Sequence, residues 1–442
     1  MTQRQQKRDR ILRTAFEVWG DSKFLSTSLA SVAERLELSK PALYRYFASK
    51  DELIAGMQEQ FAEDYRESAE RHMCWDPTCG LERLVHAIVR TVFGFLQREP
   101  AYLTFFTEYL LRHAIMNEAC LLDSLPGSLH EVLNRQTEAL RRAVGRECEN
   151  SSERMVAEIL QYVFLATLYW CALYFMTPDM RPRAHEGGDS GEQRERHVSL
   201  VCDVVLNGLT PAGAPPGAER LAAVEYAAWR NPGTVLTKDR VLAAVEAVVA
   251  EVGFGEATIE RIANHVGMSK SSLYFYFKNK REMFGELLAR ENELFLDEYR
   301  RVRVAFVGID EHLYAYVVLQ AAFFAHNPGV FKVVNWLWSQ SLEAVELPEE
   351  YMLQVQREFA YVQQAIDAGR LRASEEGWMS VVGFFHVGGV MLFARHLQRP
   401  PLENCTLLES ARALFILGMY GVRGMLGESE QSGSAHSNGG SS

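Results

Sequence analysis

Apolar positions along the first fifty residues recur at helical spacing. Ile11, Leu12, Ala15, Phe16, Val18 and Trp19 share one face behind the basic run Arg4, Lys7, Arg8 and Arg10, which predicts an amphipathic first helix with a cationic start. Ser28 stands in an N-cap position before Leu29, Val32, Ala33 and Leu36, a short second helix. The chain turns at Glu37, Leu38 and Ser39. A third helix follows, with Leu43 and Phe47 four residues apart and facing inward, while Lys40, Pro41, Ala42, Tyr44, Arg45 and Tyr46 are left to point elsewhere. Ser49 and Glu52 form a capping box that opens a fourth helix at Lys50. Two short helices joined by a tight turn, the second exposing aromatics and a lysine, have the layout of a helix-turn-helix DNA reader.

The same pattern returns at a constant offset of 230 residues. Ser39-Lys40 aligns with Ser269-Lys270, and Leu43-Tyr44-Arg45-Tyr46-Phe47 with Leu273-Tyr274-Phe275-Tyr276-Phe277. Thr258 is the second N-cap, Ile259, Ile262, Ala263 and Val266 face inward, and Gly267 sits where a helix ends in a left-handed conformation. Asn279 and Glu282 cap the next helix. A repeat at this distance is a duplicated domain.

This motif, Ile/Val-Ala, a turn, Ser-Lys, Leu-Tyr-x-Tyr-Phe and a lysine before Leu/Met, resembles the DNA-binding domain of tetracycline-repressor-type (TetR family) regulators. It occurs at Val32 to Leu53 and again at Ile262 to Met283. The resemblance implies base contacts in the major groove from Lys40, Pro41, Ala42, Tyr44 and Arg45 in copy one. In copy two the matching positions are Lys270, Ser271, Ser272, Tyr274 and Phe275. It further implies phosphate contacts from Ser28, Tyr46 and Lys50, matched by Thr258, Tyr276 and Lys280. A lysine at a helix N-terminus turns its ammonium and free backbone amides toward a phosphate, which sets register without reading sequence.

Each reader is followed by helical patterning without strand runs, so the expected fold is all-α: a tandem duplication in which each helix-turn-helix domain precedes a helical regulatory body. The expected domains are a first reader at 1–52, body 53–206, linker 207–236, a second reader at 237–282, body 283–426 and a disordered tail at 427–442. Predicted helices in the first body are 50–72, 81–98, 102–116, 128–144, 152–176 and 195–206; in the second they are 280–304, 310–326, 330–342, 348–368, 375–397 and 406–425. The linker is rich in proline and glycine, with an alanine-rich stretch at 218–228, and the charged segment 181–196 is expected to lack structure. In the resembling family the last two helices of each body build a four-helix dimer interface. The resemblance therefore implies that the two halves pair within the chain, with a homodimer of four readers as the alternative.

The family's small-molecule effector would lie among the body helices. Aromatic and histidine side chains offered there are Tyr102, Phe105, Phe106, Tyr109, His113, Tyr169 and Trp170 in the first body, and Phe323, Phe324, His326, Trp336, Trp338, Phe385 and His386 in the second. Such residues at helical spacing are more often core than pocket; a hydrophobic or aromatic effector is what they would suit.

Charge changes the picture in one respect. The 442-residue chain carries a net −11, which argues against indiscriminate coating of nucleic acid, yet residues 1–53 hold ten Lys/Arg against seven Asp/Glu. A local basic face on an acidic body suits specific docking on double-stranded operator DNA. Copy two is more weakly basic. The seven cysteines show no zinc-ligand spacing and read as reduced cytoplasmic thiols, and no metal or cofactor is expected. The basic N-terminus lacks a signal-peptide core, and the apolar stretches 162–176 and 378–394 read as buried helices of a bundle rather than membrane spans. No phosphate loop, metal-spaced cluster or Gly-x-Ser-x-Gly elbow supports an enzyme. The reading is a ligand-released repressor, with a DNA-organising or protein-binding module that kept the fold as the alternative.

Overall fold

The computed structural model describes residues 3–21, 29–106, 125–148, 152–176, 191–211, 213–229, 244, 247–248, 251, 258–276, 280–326, 349–398 and 406–437. All regular elements among the described residues are helices, as expected. The chain divides into two compact units, residues 1–206 with 429–442, and residues 207–428.

The first unit contains α1 Gln3–Asp21, α2 Leu29–Arg35, α3 Lys40–Tyr44, α4 Lys50–His72, α5 Leu81–Arg98, α6 Ala101–Thr104, α7 Gly127–Glu147, α8 Glu153–Met176 and α9 Gly191–Asn207. In α4, Leu53, Met57, Phe61 and Tyr65 stand four residues apart and are all buried. Phe61 and Tyr65 meet Phe95 of α5 edge-on at 4.9 and 5.4 Å, and Leu84, Ile88 and Val92 of α5 are buried as well, so the packed faces of α4 and α5 form the centre of the body. Helix α8 is long and apolar enough to cross a membrane by length and composition. Most of it is buried, and it packs on α5 and α7. Helix α9 is tied to α8 by two polar contacts: Tyr162 Oη donates to Val204 O at 3.0 Å, and His197 Nε2 donates to Trp170 O at 2.9 Å. Helix α9 begins at Gly191, inside the segment expected to lack structure.

The second unit contains α10 Ala218–Ala228, α11 Ile259–Val266, α12 Lys270–Tyr276, α13 Lys280–Arg303, α14 Ile309–His326, α15 Glu349–Glu358, α16 Ala360–Asp367, α17 Trp378–Gln398 and, as far as residue 428, α18 Leu407–Ser437. Residues 313–324 of α14 are all buried because α10, α13 and α17 cover it from different sides. The span 348–368, expected as one helix, is divided at Phe359 (φ −100°). That ring is 2% exposed and stacks on Tyr299 and Trp378, so the bend places an aromatic in the core.

The expected linker differs most from the structure. Residues 207–229 are packed into the second unit. Helix α10 buries Leu221, Val224 and Ala228, together with the carboxylate of Glu225. Arg412 reaches Glu225 through Nε and Nη2, both at 2.8 Å, and Tyr314 Oη donates to the same carboxylate. Upstream, Leu209 N and Thr210 N donate to Gly418 O and Met419 O, each at 2.9 Å. Those carbonyls are released from the α18 ladder by a kink at Gly421 (φ 69°, ψ −172°). Gly208 (φ +76°) lies against this backbone, where a Cβ would come within 2.3 Å of Met419 C and O. Arg372 completes the clasp, with Nη1 donating to Gly208 O at 2.9 Å and to Thr210 O at 2.7 Å. Gly208 therefore serves packing rather than slack. Residues 427–437, expected as disordered tail, continue α18, since a formed helix adds one hydrogen bond per residue at little cost.

Candidate nucleic-acid interface

In the first reader, Ile11, Leu12, Ala15, Phe16, Val32, Ala33, Leu43 and Phe47 are all buried. They fix α1, α2 and α3 as one unit. The turn after α2 needs a left-handed residue, and Glu37 supplies it at φ 54°, the described non-glycine residue with positive φ. Glu37 N donates to Glu34 O at 3.0 Å and Leu38 N to Ala33 O at 2.9 Å, which closes the helix end. Ser39 then caps α3 by accepting from Ala42 N, with Pro41 in the first turn where no amide is required. The consequence is a short helix whose outer face carries exposed Lys40, Pro41 and Arg45, half-buried Ala42, and Tyr44 at 49% exposure.

The second reader repeats these contacts. Thr258 caps α11 by accepting from Arg261 N at 3.2 Å, so its hydroxyl already has a local role. Gly267, at the position equivalent to Glu37, has φ 77°, and Met268 N donates to Ala263 O at 2.9 Å. Ser269 caps α12 by accepting from Ser272 N at 3.1 Å, and the two hydroxyls lie 2.8 Å apart. Lys270, Ser271 and Ser272 are exposed, Leu273 is buried, and Tyr274 is 47% exposed. Ser28 and the side chains of Phe275, Tyr276 and Lys280 lie outside the described residues.

Beside the first reading helix is a surface cleft of about 280 Å³ lined by Arg4, Gln5, Arg8 and Tyr46. Two guanidinium groups beside a phenol make an anion-accepting recess. The Arg8 guanidinium also covers the buried Phe47 ring at 4.7 Å, so its position is fixed by the core. The family resemblance implies a phosphate contact for Tyr46 but not for Arg4 or Arg8, whose signal in the sequence is the basic run. Lys50 is exposed, with its ammonium 5.6 Å from the centre of the buried Trp19 ring. Ser49 accepts from Glu52 N at 3.1 Å, while the Glu52 carboxylate returns to Ala48 N at 2.5 Å, one residue earlier than the simplest capping box.

The effector-pocket candidates fall into packed clusters. Tyr102 and Phe105, 2% and 0% exposed, meet the α1 ring of Phe16 edge-on at 4.8 and 5.2 Å. Tyr102 also stacks on Phe95 at 4.7 Å and donates to the buried carboxylate of Asp64, and burial pushes its phenol up. These rings join the reader to its body. Trp170 is wholly buried in α8. In the second unit Phe324 packs on Phe393 at 5.7 Å. His386 Nδ1 lies 3.1 Å from Tyr316 Oη and 2.9 Å from Gln320 Nε2, and burial pushes its imidazole down to about 4. Tyr109, His113, Trp336 and Trp338 lie outside the described residues.

Comparison with known proteins agrees with this geometry. Residues 11–57 and 241–287 each match the family model described as bacterial regulatory proteins, tetR family. The chain is also similar to the nucleoid occlusion factor SlmA of Idiomarina loihiensis, 25% identical over 156 residues, which cover 35% of this chain and 75% of that protein.

Proposed function

With two tetR-family DNA-binding domains in one chain, this protein is a TetR-type DNA-binding regulator made of two TetR-like halves, and we propose that it is a cytoplasmic, ligand-released repressor acting as an intrachain pseudo-dimer on two non-identical half-sites. The observation that carries the proposal is the matched pair Tyr44 and Tyr274. Each is about half exposed beside a buried leucine, at the same point of a serine-capped helix. An aromatic held in water at both copies of a repeat is placed for a partner, and base edges in the major groove are what a helix of this kind meets.

The half-sites differ because the reading positions differ. Pro41 corresponds to Ser271, Ala42 to Ser272 and Arg45 to Phe275, while Ala30 corresponds to Glu260. Arginine favours guanine, whereas a carboxylate repels phosphate or accepts from cytosine. Pairing of the halves rests on the apolar helices that end each body, α8 with α9 and α17 with α18. Because the two halves are covalently joined, each holds the other at high effective concentration, and a self-paired monomer is favoured over a dimer of four readers. Release would follow from a small hydrophobic or aromatic effector entering a body and disturbing the rings that hold its reader, such as Phe16 against Tyr102 and Phe105.

Selection of preferred sites from random DNA, followed by footprinting, tests the proposal. Two related but unequal half-sites are expected; a perfect palindrome as the best ligand would remove the specialisation. Molar mass with and without that DNA distinguishes a self-paired monomer from a homodimer. The similarity to a protein named as a nucleoid occlusion factor favours a second reading, a DNA-organising protein with many genomic sites. Few sites with a large specific-to-nonspecific ratio across a salt series support the regulator; many dispersed sites support the second reading.

A further inference from the structure

We propose that the recess lined by Arg4, Gln5, Arg8 and Tyr46 seats one backbone phosphate of operator DNA, and that the first reader alone has such a seat. The inference rests on the DNA-binding reading above and adds to it an unequal division of backbone contacts between the two readers.

The recess forms where α1 meets the end of the reading helix. Tyr46 N and Phe47 N both donate to Leu43 O, at 2.9 and 3.2 Å, so the residues after α3 curl back on its last turn. Phe47 is wholly buried, while Tyr46 stays half-buried at the surface. The Arg8 guanidinium lies 4.7 Å from the centre of the Phe47 ring, and its Nη2 sits beside Gly56 of α4, 3.4 Å from where a Cβ would stand. That Cβ would also come within 3.0 Å of Phe47 Cε1 and 3.2 Å of Leu12 Cδ2. Arg8 is thus set between a buried ring and bare helix backbone, and the core rather than a carboxylate places its charge.

Arg4 precedes Arg8 by about one turn of α1 and brings a second guanidinium to the same cleft. Like charges at this spacing repel. Elsewhere in the chain a carboxylate offsets such charge, as Glu63 does for Arg66, Glu67 for Arg98 and Glu225 for Arg412. Among the described residues neither Arg4 nor Arg8 has a carboxylate partner. The acid next to them, Asp9, accepts from Gln5 Nε2 at 3.2 Å. Two guanidinium groups and the Tyr46 hydroxyl therefore converge as donors on a space of about 280 Å³, which suits a tetrahedral anion. Beside a docked reading helix that anion is a phosphodiester, and contact with it contributes affinity and register without choosing bases.

The second reader carries other residues at the aligned positions. Thr234 stands for Arg4, Val235 for Gln5 and Lys238 for Arg8, while Tyr276 repeats Tyr46. Gly56 corresponds to Glu286, an exposed carboxylate on α13. At the positions of Arg4, Arg8 and Gly56 the first copy holds two positive charges, whereas the lysine and glutamate of the second cancel. A reader with one more neutralised phosphate contributes more to the salt-dependent part of binding, so the first reader is the anchor.

The test uses the full chain and the preferred DNA selected from random sequence, with binding followed by fluorescence anisotropy across a potassium chloride series. Arg4→Gln with Arg8→Met is expected to lower the slope of log affinity against log salt by about 0.9, the value for one phosphate on duplex DNA. Arg4→Gln alone, at an exposed position that leaves the cover on Phe47 intact, is expected to lower it by roughly half of that. Affinity of the double variant at fixed salt should fall at least about tenfold with base preference unchanged. Lys238→Met, the counterpart of Arg8, is expected to leave the slope as it was. Neutral methylphosphonate linkages placed one at a time along the DNA locate the seat: a linkage in one half-site should weaken the unaltered chain about tenfold and the double variant no further. An unchanged slope in Arg4→Gln and in the double variant, an equal fall with Lys238→Met, or competition by inorganic phosphate beyond its ionic strength would overturn the proposal while DNA binding stands. An unaltered chain without salt-dependent DNA binding would overturn both the seat and the reading beneath it.

Discussion

Replacing Arg412 by methionine isolates what holds α10 in the second unit. Arg412 supplies two hydrogen bonds at 2.8 Å to a Glu225 carboxylate whose side chain keeps 11% exposure, and Tyr314 supplies the other donor. Methionine fills similar space, so the main effect is an uncompensated charge. Removing one partner of a buried pair costs about 3–5 kcal/mol. Urea unfolding, with amide exchange in α10 as a local probe, measures it. Adding Glu225→Gln to the variant removes the charge and is expected to restore most of the loss. A deficit below about 1 kcal/mol, or one that Glu225→Gln does not relieve, would refute the assignment of a charged anchor.

Other expectations come from the readers and cores. Tyr44→Ala and Tyr274→Ala are each expected to cost about 1–3 kcal/mol of operator binding, about five- to 150-fold, on different half-sites in a binding assay. Glu37→Gly relieves a left-handed glutamate that copy two replaces with Gly267, and is expected to gain about 1 kcal/mol in thermal or urea unfolding. Phe16→Ala empties a wholly buried ring site against Tyr102 and Phe105, and is expected to lose about 3–5 kcal/mol, read as a lower midpoint for the first unit. His386, whose folded-state pKa of about 4 lies below its unfolded value, is neutral in the native chain while the unfolded chain binds a proton below about 6.5. Its contribution is present above that pH and lost as pH falls toward 4, so moving from pH 7.5 to 5.5 is expected to cost about 1.3 kcal/mol that His386→Gln does not lose.

The readers were legible because local chemistry dictates them. A serine or threonine cap, a left-handed turn position, an inward Leu and an outward Tyr are each readable within a few residues, and all recur at Ser39 and Ser269. Helices α4 and α5 were equally plain, since their apolar stripes are continuous and proline or a cap marks their ends. The anchoring of residues 207–229 was not readable, because its partners lie far away in sequence. Glu225 looks like a solvent-facing acid until Arg412, 187 residues later, is placed beside it. The pocket candidates stand out by residue type, which does not distinguish rings that line a space from rings that fill one. Tyr102 and Phe105 belong to the filled kind through Phe16, a residue about ninety positions earlier. Arg4 and Arg8 are visible as charge but not as neighbours of Tyr46, which needs the approach of α1 to the residues that follow the reading helix.

The clasp of residues 208–210 on the kinked α18 has a consequence for how this chain is divided. Measured on the readers, the repeat has a period of 230 residues and the second copy would begin just before Lys238. Measured on packing, the second unit begins at residue 207, some way upstream of that reader. The period of the sequence and the boundary of the folding unit are therefore out of phase. A second half cut at the repeat would lose Gly208, the two amides that quiet Gly418 O and Met419 O, and the whole of α10. A second half cut at residue 207 keeps them. The two copies are thus similar as readers without being interchangeable as modules.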